Sequence, residues 1–507
     1  MIKIFSILLF LLTIILNSTD IYSQIDLKLN DNKKTTFEKL KNYDDESKKL
    51  RSESNKLSLK YTNQPEKFNS ENYFDTTKYH RFYPKYNKRE SLMIPIYESA
   101  GMNIGLALFN NYVGGASFAK ITFKSVKHNL DTGFVWDDDV FVVNQFGHPF
   151  HGSIYFNTAR STGFSYWESV PFAFGGSLMW EMFMETDPPQ TNDIIQTTFG
   201  GVMVGEMTYR LTSLILDEST RGANRTMREV VSAILNPARG FNRLVSGDMF
   251  RHTPTNVNDV FPVTSRLNVG YAGISASETV NFDKNHFMLE YLLVYGNNVG
   301  RDKEYKPFEF FRLRAGFDAA KADAPSTWIH AYGLIYGKNI LNKKNDDVLV
   351  FGVFHDYDYN YNNIIQLGTQ SVGLGLIYDT PEKRKFRMVG TFHSNFVVMG
   401  ALNSIYQKGP FRNYDYTIGN KTMLEFGIYF KPVSLILDYK FYYLYTVNGF
   451  PGHSNFGILN PKLLVDIYKG FGIGTEYVYY HRHGTFEGVA DYNKSISEFK
   501  IYGSYLF

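Results

Sequence analysis

No cysteine occurs among the 507 residues, which excludes a disulfide framework, a zinc-thiolate site, an iron-sulfur cluster and a lipidated cysteine, while leaving an oxidising compartment open. Charge of one sign is equally scarce: 53 Lys and Arg stand against 50 Asp and Glu, and a net +3 gives no electrostatic footprint for nucleic acid. Long apolar runs are missing too. Beyond the N-terminus no stretch of the ~20 residues that a spanning helix needs is free of polar interruption, and mean hydropathy is −0.26. What abounds is aromatic side chain, 17% of the chain. Such a chain has one way to live in a membrane, a closed β-barrel whose strands need apolar residues only at every second position.

The N-terminus differs from the rest. Lys3, the apolar core Ile4 to Leu16 and the small residue Ser23 before Gln24 read as a secretory signal over 1–23, the core being too short for an anchoring helix. Residues 24–90 hold 16 basic and 11 acidic residues and few branched aliphatics, so they cannot bury enough apolar surface to offset ordering entropy. A flexible charged periplasmic arm is expected there, with a transient helix over Lys33 to Leu57. Its mixed charge does not suit a nucleic-acid tail.

Over 91–250 the apolar residues come in longer blocks broken by Gly and Pro, which predicts a helical domain. One block, Phe164 to Met184, ends at Asp187-Pro188-Pro189; Thr191 or Asn192 can cap a second from Asp193 to Leu216, with Asp193 at the positive end of the helix dipole. Gly201 and Gly205 share a face, and with Gly175-Gly176 they would let two helix backbones approach closely.

From residue 262 to 507 the period changes to two. Phe311, Leu313, Ala315 and Phe317 alternate with Arg312, Arg314, Gly316 and Asp318; Val433, Leu435, Leu437 and Tyr439 alternate with Ser434, Ile436, Asp438 and Lys440. About twelve such runs begin near Val263, His286, Pro307, Trp328, Asp347, Ile364, Arg384, Tyr416, Val433, Asn455, Phe471 and Lys494. Tight turns at Lys431-Pro432, Lys469-Gly470 and Asp379 to Lys383 follow even runs, and longer loops at Leu402 to Asn413 and Arg482 to Tyr492 follow odd ones, which predicts both barrel ends in the periplasm. Tyrosines near run ends, Tyr357, Tyr359 and Tyr361 or Tyr442, Tyr443 and Tyr445, favour interfacial girdles over the alternative of a soluble β-sandwich. Phe499, Ile501, Tyr505 and Phe507 share one face of the last run and resemble the insertion signal read by the barrel-assembly machinery.

Gly147-His148-Pro149-Phe150-His151-Gly152, Ala159-Arg160-Ser161, Glu168-Ser169, Gly175-Gly176 through Trp180-Glu181, Glu185, Pro188-Pro189, Asn192-Asp193, Gly200-Gly201, Gly205-Glu206 and Asn236-Pro237 with Arg239 to Arg243 together resemble a bacterial envelope family, the domain of unknown function 3943. The resemblance covers roughly Pro95 to Arg243. It implies an outer-membrane protein of Gram-negative bacteria with a barrel as companion, and it carries no assigned activity.

Ionisable groups among these apolar blocks invite two readings. Glu181 and Glu185, at i and i+4, would repel unless one is protonated or a cation intervenes; Glu206 and Arg210 repeat the spacing with opposite charges. A polar network is the first reading: Arg160, Arg210 and helix N-termini satisfying Glu168, Glu181, Glu185, Asp193 and Glu206, because an uncompensated buried charge is costly. The second makes His148, His151, Glu181 and Glu185 an acid/base or metal site, although Pro149 disfavours the helix that would align the histidines and no hydrolase motif is present. Asp137-Asp138-Asp139 lacks the spacing of a calcium loop and reads as solvated. No metal, cofactor or nucleic acid is expected; outer-membrane lipid and, during insertion, the assembly machinery are the expected partners. The expected architecture is therefore a barrel of about twelve strands with a helical domain at or in its mouth, acting as the plug of a gated passage or binding protein. The alternatives are a membrane-embedded hydrolase or transferase acting on envelope lipid or glycan, and a structural envelope component.

Overall fold

The computed structural model describes residues 91–254, 256, 258, 261–275, 285–296, 304–319, 326–341, 347–361, 365–381, 385–406 and 412–507. The expected signal over 1–23 and the charged arm over 24–90, with its helix at Lys33 to Leu57, lie outside these.

Twelve long strands form the second half: β1 (Val263–Ser275), β2 (Asn285–Tyr295), β3 (Phe311–Ala319), β4 (Ser326–Asn339), β5 (Val348–Tyr361), β6 (Gln366–Asp379), β7 (Arg387–Asn403), β8 (Tyr414–Phe430), β9 (Val433–Asn448), β10 (Gly452–Tyr468), β11 (Phe471–Phe486) and β12 (Tyr492–Leu506). Each starts within four residues of a run read from the alternation. Every neighbouring pair is antiparallel, and β12 returns to β1 with Tyr505 opposite Leu267, so the sheet closes on itself with no free edge. A two-residue strand, Glu304–Tyr305, lies against the end of β4. One loop differs from expectation. The alternation of β11 continues past Arg482, whose guanidinium bonds the Asn403 carbonyl at 2.9 Å, so the segment expected as a long loop from Arg482 is strand as far as Phe486.

Which face of a strand looks inward follows from ion pairs between strands that are not neighbours. Arg312 and Arg314 of β3 meet Glu425 of β8 at 2.5 Å and Glu476 of β11 at 2.8 Å, which is possible only across the lumen. Alternation then assigns the rest: Asp356 and Asp358 of β5 point inward to Lys421 and Lys440, whereas His355, Tyr357 and Tyr359 point outward. On β1 and β8 to β12 the outward side chains Tyr271, Leu424, Leu435, Leu437, Leu463, Ile473 and Ile501 are exposed and apolar. This closed ring with a greasy outer belt is a transmembrane barrel of the outer-membrane kind.

Seven α-helices precede it among the described residues: α1 (Met93–Tyr112), α2 (Phe123–Thr132), α3 (His148–Arg160), α4 (Tyr166–Phe183), α5 (Thr191–Ile215), α6 (Gly222–Leu235) and α7 (Pro237–Ser246). Their placement corrects the expected one. The helices occupy neither the mouth nor the lumen, but lie on the outside of the wall over β2 to β8. Outward residues beneath the helices are buried: Tyr295 stacks on Phe311 at 4.7 Å, and both are almost without exposure, while Phe287, Phe351, Leu374 and Phe392, outward on the same part of the wall, stay exposed. Tyr357 donates to the Gln145 carbonyl at 2.5 Å and Phe141 packs on Tyr359 and Tyr414. Of the six tyrosines expected in a lipid girdle, Tyr357 and Tyr359 are therefore covered by protein, Tyr361 is half-buried against Phe141, Tyr442 is buried on the inward face, and Tyr443 and Tyr445 are exposed.

Candidate functional site

Local sequence sets the helix ends. Ser165 and Glu168 form a reciprocal capping box at the start of α4, Glu168 Oε2 accepting the Ser165 amide at 2.8 Å. Glu168 thereby caps the exposed first turn of α4. Pro149 falls in the first turn of α3, where its missing N–H is tolerated, so both histidines enter the helix after all. At α5 the N-cap is Gln190, whose side chain makes no capping bond to the helix; Asn192 is turned inward to Asp137 and Asn144.

The expected network divides into two clusters, at the two ends of α5. Toward its C-terminal end Glu206, fully buried, accepts Arg160 Nε at 2.7 Å and Nη2 at 3.2 Å, and Arg210 Nε at 2.8 Å. Arg210 also donates to the Pro307 carbonyl at 2.5 Å, and the Arg160 guanidinium lies 4.0 Å from the Tyr209 ring. One carboxylate therefore ties α3, α5 and the barrel rim together.

Toward the other rim lie Glu181, Glu185, Asp193 and Asp137. A parallel bridge of Val135 to Gln190 pins the loop carrying Asp137 against the α4–α5 connection. Glu181 Oε2 accepts the Gln190 amide at 2.9 Å, and the Gln190 side chain, with its nitrogen turned to the acids, reaches Glu181, Asp193 and Glu185 at 3.2, 2.8 and 3.3 Å. Asp137 Oδ2 accepts from Asn144 at 2.5 Å and Asn192 at 3.2 Å, and Asn144 reaches the outward Tyr414 and Tyr416 hydroxyls at 2.6 and 2.9 Å. Asp137 is buried, contrary to the solvated loop expected, while Asp138 stays exposed beside Arg412. Among the described residues no Arg or Lys pairs with Glu181, Glu185 or Asp193, since Arg160 and Arg210 are committed to Glu206. Burial, and then the charge of Glu181, pushes the Glu185 carboxyl well above its ordinary value; burial also raises Asp137, opposed by the amide of Asn144. Amide groups thus stand where guanidinium groups were expected.

The histidines do not converge. His148 Nε2 lies 3.3 Å from Asp193 and its Nδ1 lies 3.2 Å from the Thr197 hydroxyl. His151 Nε2 meets the Tyr155 hydroxyl at 2.7 Å, and Tyr155 donates on to Asn103. Among the described residues no group of three or more His, Asp or Glu is arranged to hold a metal ion. Sequence reasoning missed Thr197, Asn144 and the Asp137 role; the available signal was a set of amides and hydroxyls at helical spacing within apolar blocks, Asn192, Gln196 and Thr197 among them.

The lumen is the other chemical surface. Arg314 binds Glu290 at 2.5 Å and Glu476 at 2.8 Å, Lys421 lies between Asp356 and Asp358, and Lys462 pairs with Asp438. One lumen cavity of about 60 Å³ is lined by Arg312, Arg314, Asp358, Lys421, Asp438 and Lys440. On the face of β12 expected to carry the insertion signal, Ile501 is exposed and Tyr505 packs between Phe471 and Phe507 at 4.6 and 4.8 Å, while the Phe507 amide donates to the Ser265 carbonyl at 2.9 Å.

Comparison with solved structures returns barrels at low similarity. The NanC porin shares 10% identity over 48% of this chain and 99% of its own, with a TM-score of 0.26; the β domain of the Bordetella autotransporter BrkA shares 11% over 49% and 100%, with 0.22; the CymD monoaromatic hydrocarbon channel shares 9% over 49% and 88%, with 0.21. The barrel assignment rests on the closed strand ring itself. No curated protein matches the chain. Residues 133–238, from the loop before Asp137 into the start of α7, match the family model of DUF3943, a domain of unknown function, and the matched stretch lies on the outer wall of the barrel.

Proposed function

We propose that the protein is a passage protein of the outer membrane, gated by opposed charges that bridge its own lumen, with the helical layer bracing the wall in place of the plug expected from sequence. The observation that supports this is the cross-lumen reach of Arg312 and Arg314 to Glu425, Asp438 and Glu476 on the far side of the ring. A wall built only for stability is served as well by apolar filling, because buried ion pairs gain little over a packed hydrophobic core. Charges that pair across a channel and rehydrate when parted can instead open it. Planar-bilayer recording tests the reading. The native chain is expected to conduct poorly, and Arg312→Ala with Arg314→Ala to raise conductance and favour cations, the lumen being left with unpaired carboxylates. A heat-modifiable, inserted double variant as silent as the native protein refutes it.

A second reading, the membrane-embedded hydrolase or transferase, draws on the order Asp193, His148, Thr197, an acid, an imidazole and a hydroxyl in hydrogen-bond reach. Against it, Thr197 is only 2% exposed, and a nucleophile must meet its substrate. Fatty acid released from phospholipid vesicles by the native protein and lost in His148→Ala would favour this reading over passage.

A further inference from the structure

We infer that the helical layer is itself embedded in the bilayer beside the barrel, with the outer faces of α1 and α4 in contact with lipid acyl chains. α5 runs along the wall from Asn192, in the cluster with Tyr414 at one rim, to Arg210, bonded to Pro307 at the other. At about 1.5 Å per residue that separation is roughly 27 Å, close to the ~30 Å of a hydrocarbon core. Lipid that surrounds the barrel at this height must also meet whatever is fixed to its wall.

The helices are built for that contact. A helix between a protein core and water turns its apolar stripe inward. α1 does the reverse: its buried residues are Pro95, Ser99, Asn103 and Ala107, small or polar at intervals of four, while Ile104, Leu108 and Phe109 are about half exposed. Asn103 donates to the Gly176 carbonyl of α4 at 3.0 Å and Ser99 bonds Thr158 of α3 at 2.9 Å, so the polar groups are used between helices. α4 shares part of this pattern, burying Ser169, Ala173, Gly176, Ser177 and Glu181 beside the rings of Tyr166 and Trp180, and exposing Trp167 and Phe174. Neither helix contains a Lys or Arg. These stripes continue the exposed belt of the barrel at Tyr271, Leu437 and Ile501, and this continuity identifies lipid as the occupant. No described helix is long and apolar enough to cross a membrane alone, which fits a layer that enters the bilayer folded against a barrel, its polar residues already paired.

The cysteine-free chain makes the test direct. Single substitutions Phe174→Cys on α4 and Leu108→Cys and Ile104→Cys on α1 would carry nitroxide labels in phosphatidylcholine vesicles, with Leu437→Cys on the barrel belt and Lys124→Cys on the exposed face of α2 as references. Power saturation reads collisions with oxygen, which partitions into lipid, and with a water-soluble nickel chelate. The helix labels are expected to match Leu437→Cys, with an oxygen-to-nickel ratio several-fold above that of Lys124→Cys. Helix labels that match Lys124→Cys would place the layer in water and overturn the inference; exclusion of both agents would mean a second copy covers the faces, and would overturn it equally. Three positions on two helices keep the result readable if one label disturbs folding, and the outcome is independent of whether the lumen conducts.

Discussion

Gly201→Ala should destabilise the helical layer, although alanine is the better helix former. α3 and α5 cross with Gly152 facing Gly201, and a Cβ on Gly201 would stand 2.5 Å from the Gly152 Cα and carbonyl carbon, where ordinary contact begins at 3.4 Å. The obstruction is backbone on both sides, so no rotamer change relieves it and the helices must separate by about 0.9 Å, the difference of those two distances. Separation also stretches what lies along the same crossing: Gly205 under the Phe156 ring and the 2.7 Å contact of Arg160 with Glu206. Overpacking of this kind costs about 1–3 kcal/mol, and replacing a helical glycine returns about 0.8–1 kcal/mol. Because rigid backbone resists at both ends, the upper part of that range applies, for a net loss of roughly 2 kcal/mol. Gly175→Ala is the control, since a Cβ there meets nothing within 4 Å and should gain up to ~1 kcal/mol. Urea unfolding in detergent, followed through the fluorescence of Trp180 beside His151, reads both. A Gly201→Ala protein that unfolds at the native urea concentration or above refutes the close crossing.

Two further outcomes follow from the clusters at the ends of α5. Glu206→Ala leaves Arg160 and Arg210 buried without their shared carboxylate and should cost about 3–5 kcal/mol, whereas Glu206→Gln keeps one acceptor and should cost less; equal urea midpoints for the two would contradict the clamp. The raised pKa of Glu185 gives a pH effect of definite sign: a carboxyl held protonated in the fold contributes stability below its unfolded value of about 4.3, and that contribution is lost as pH rises through the elevated folded value. Unfolding midpoints should therefore fall with rising pH in the native chain and flatten in Glu185→Gln, and parallel slopes in the two proteins would count against it.

The barrel was legible because a strand's two faces meet different media at every residue. Arg312 and Arg314 between Phe311, Leu313 and Ala315 declare an inside and an outside without knowledge of any partner, and closure of twelve such strands leaves no edge to explain. The tyrosines were less so. Tyr357 and Tyr445 have the same sequence character, yet one donates to Gln145 beneath the helices and the other is exposed. Periodicity reports which way a side chain points and says nothing of what covers it. The helical layer suffers from this doubly, since a stripe such as Ile104, Leu108 and Phe109 reads equally as a face for a protein core or for lipid.

The candidate site shows the same limit in charge. The spacings Glu181 to Glu185 and Glu206 to Arg210 are visible in the sequence, and each implies neutralisation of a buried carboxylate. Which group neutralises which is decided by the length of α5: its two arginine partners lie at the Glu206 end, some four helical turns from Asp193, and a guanidinium cannot span that distance. The remote acids must then be satisfied by what the neighbouring turns supply, and these supply Gln190, Asn192 and Asn144 with the hydroxyls of Tyr414 and Tyr416. Amides bind a carboxyl in either protonation state, whereas an arginine would hold it ionised. The end of the layer that carries His148 is therefore held by amides and hydroxyls around its carboxyl groups, and the end that carries Glu206 is anchored to the rim by guanidinium groups.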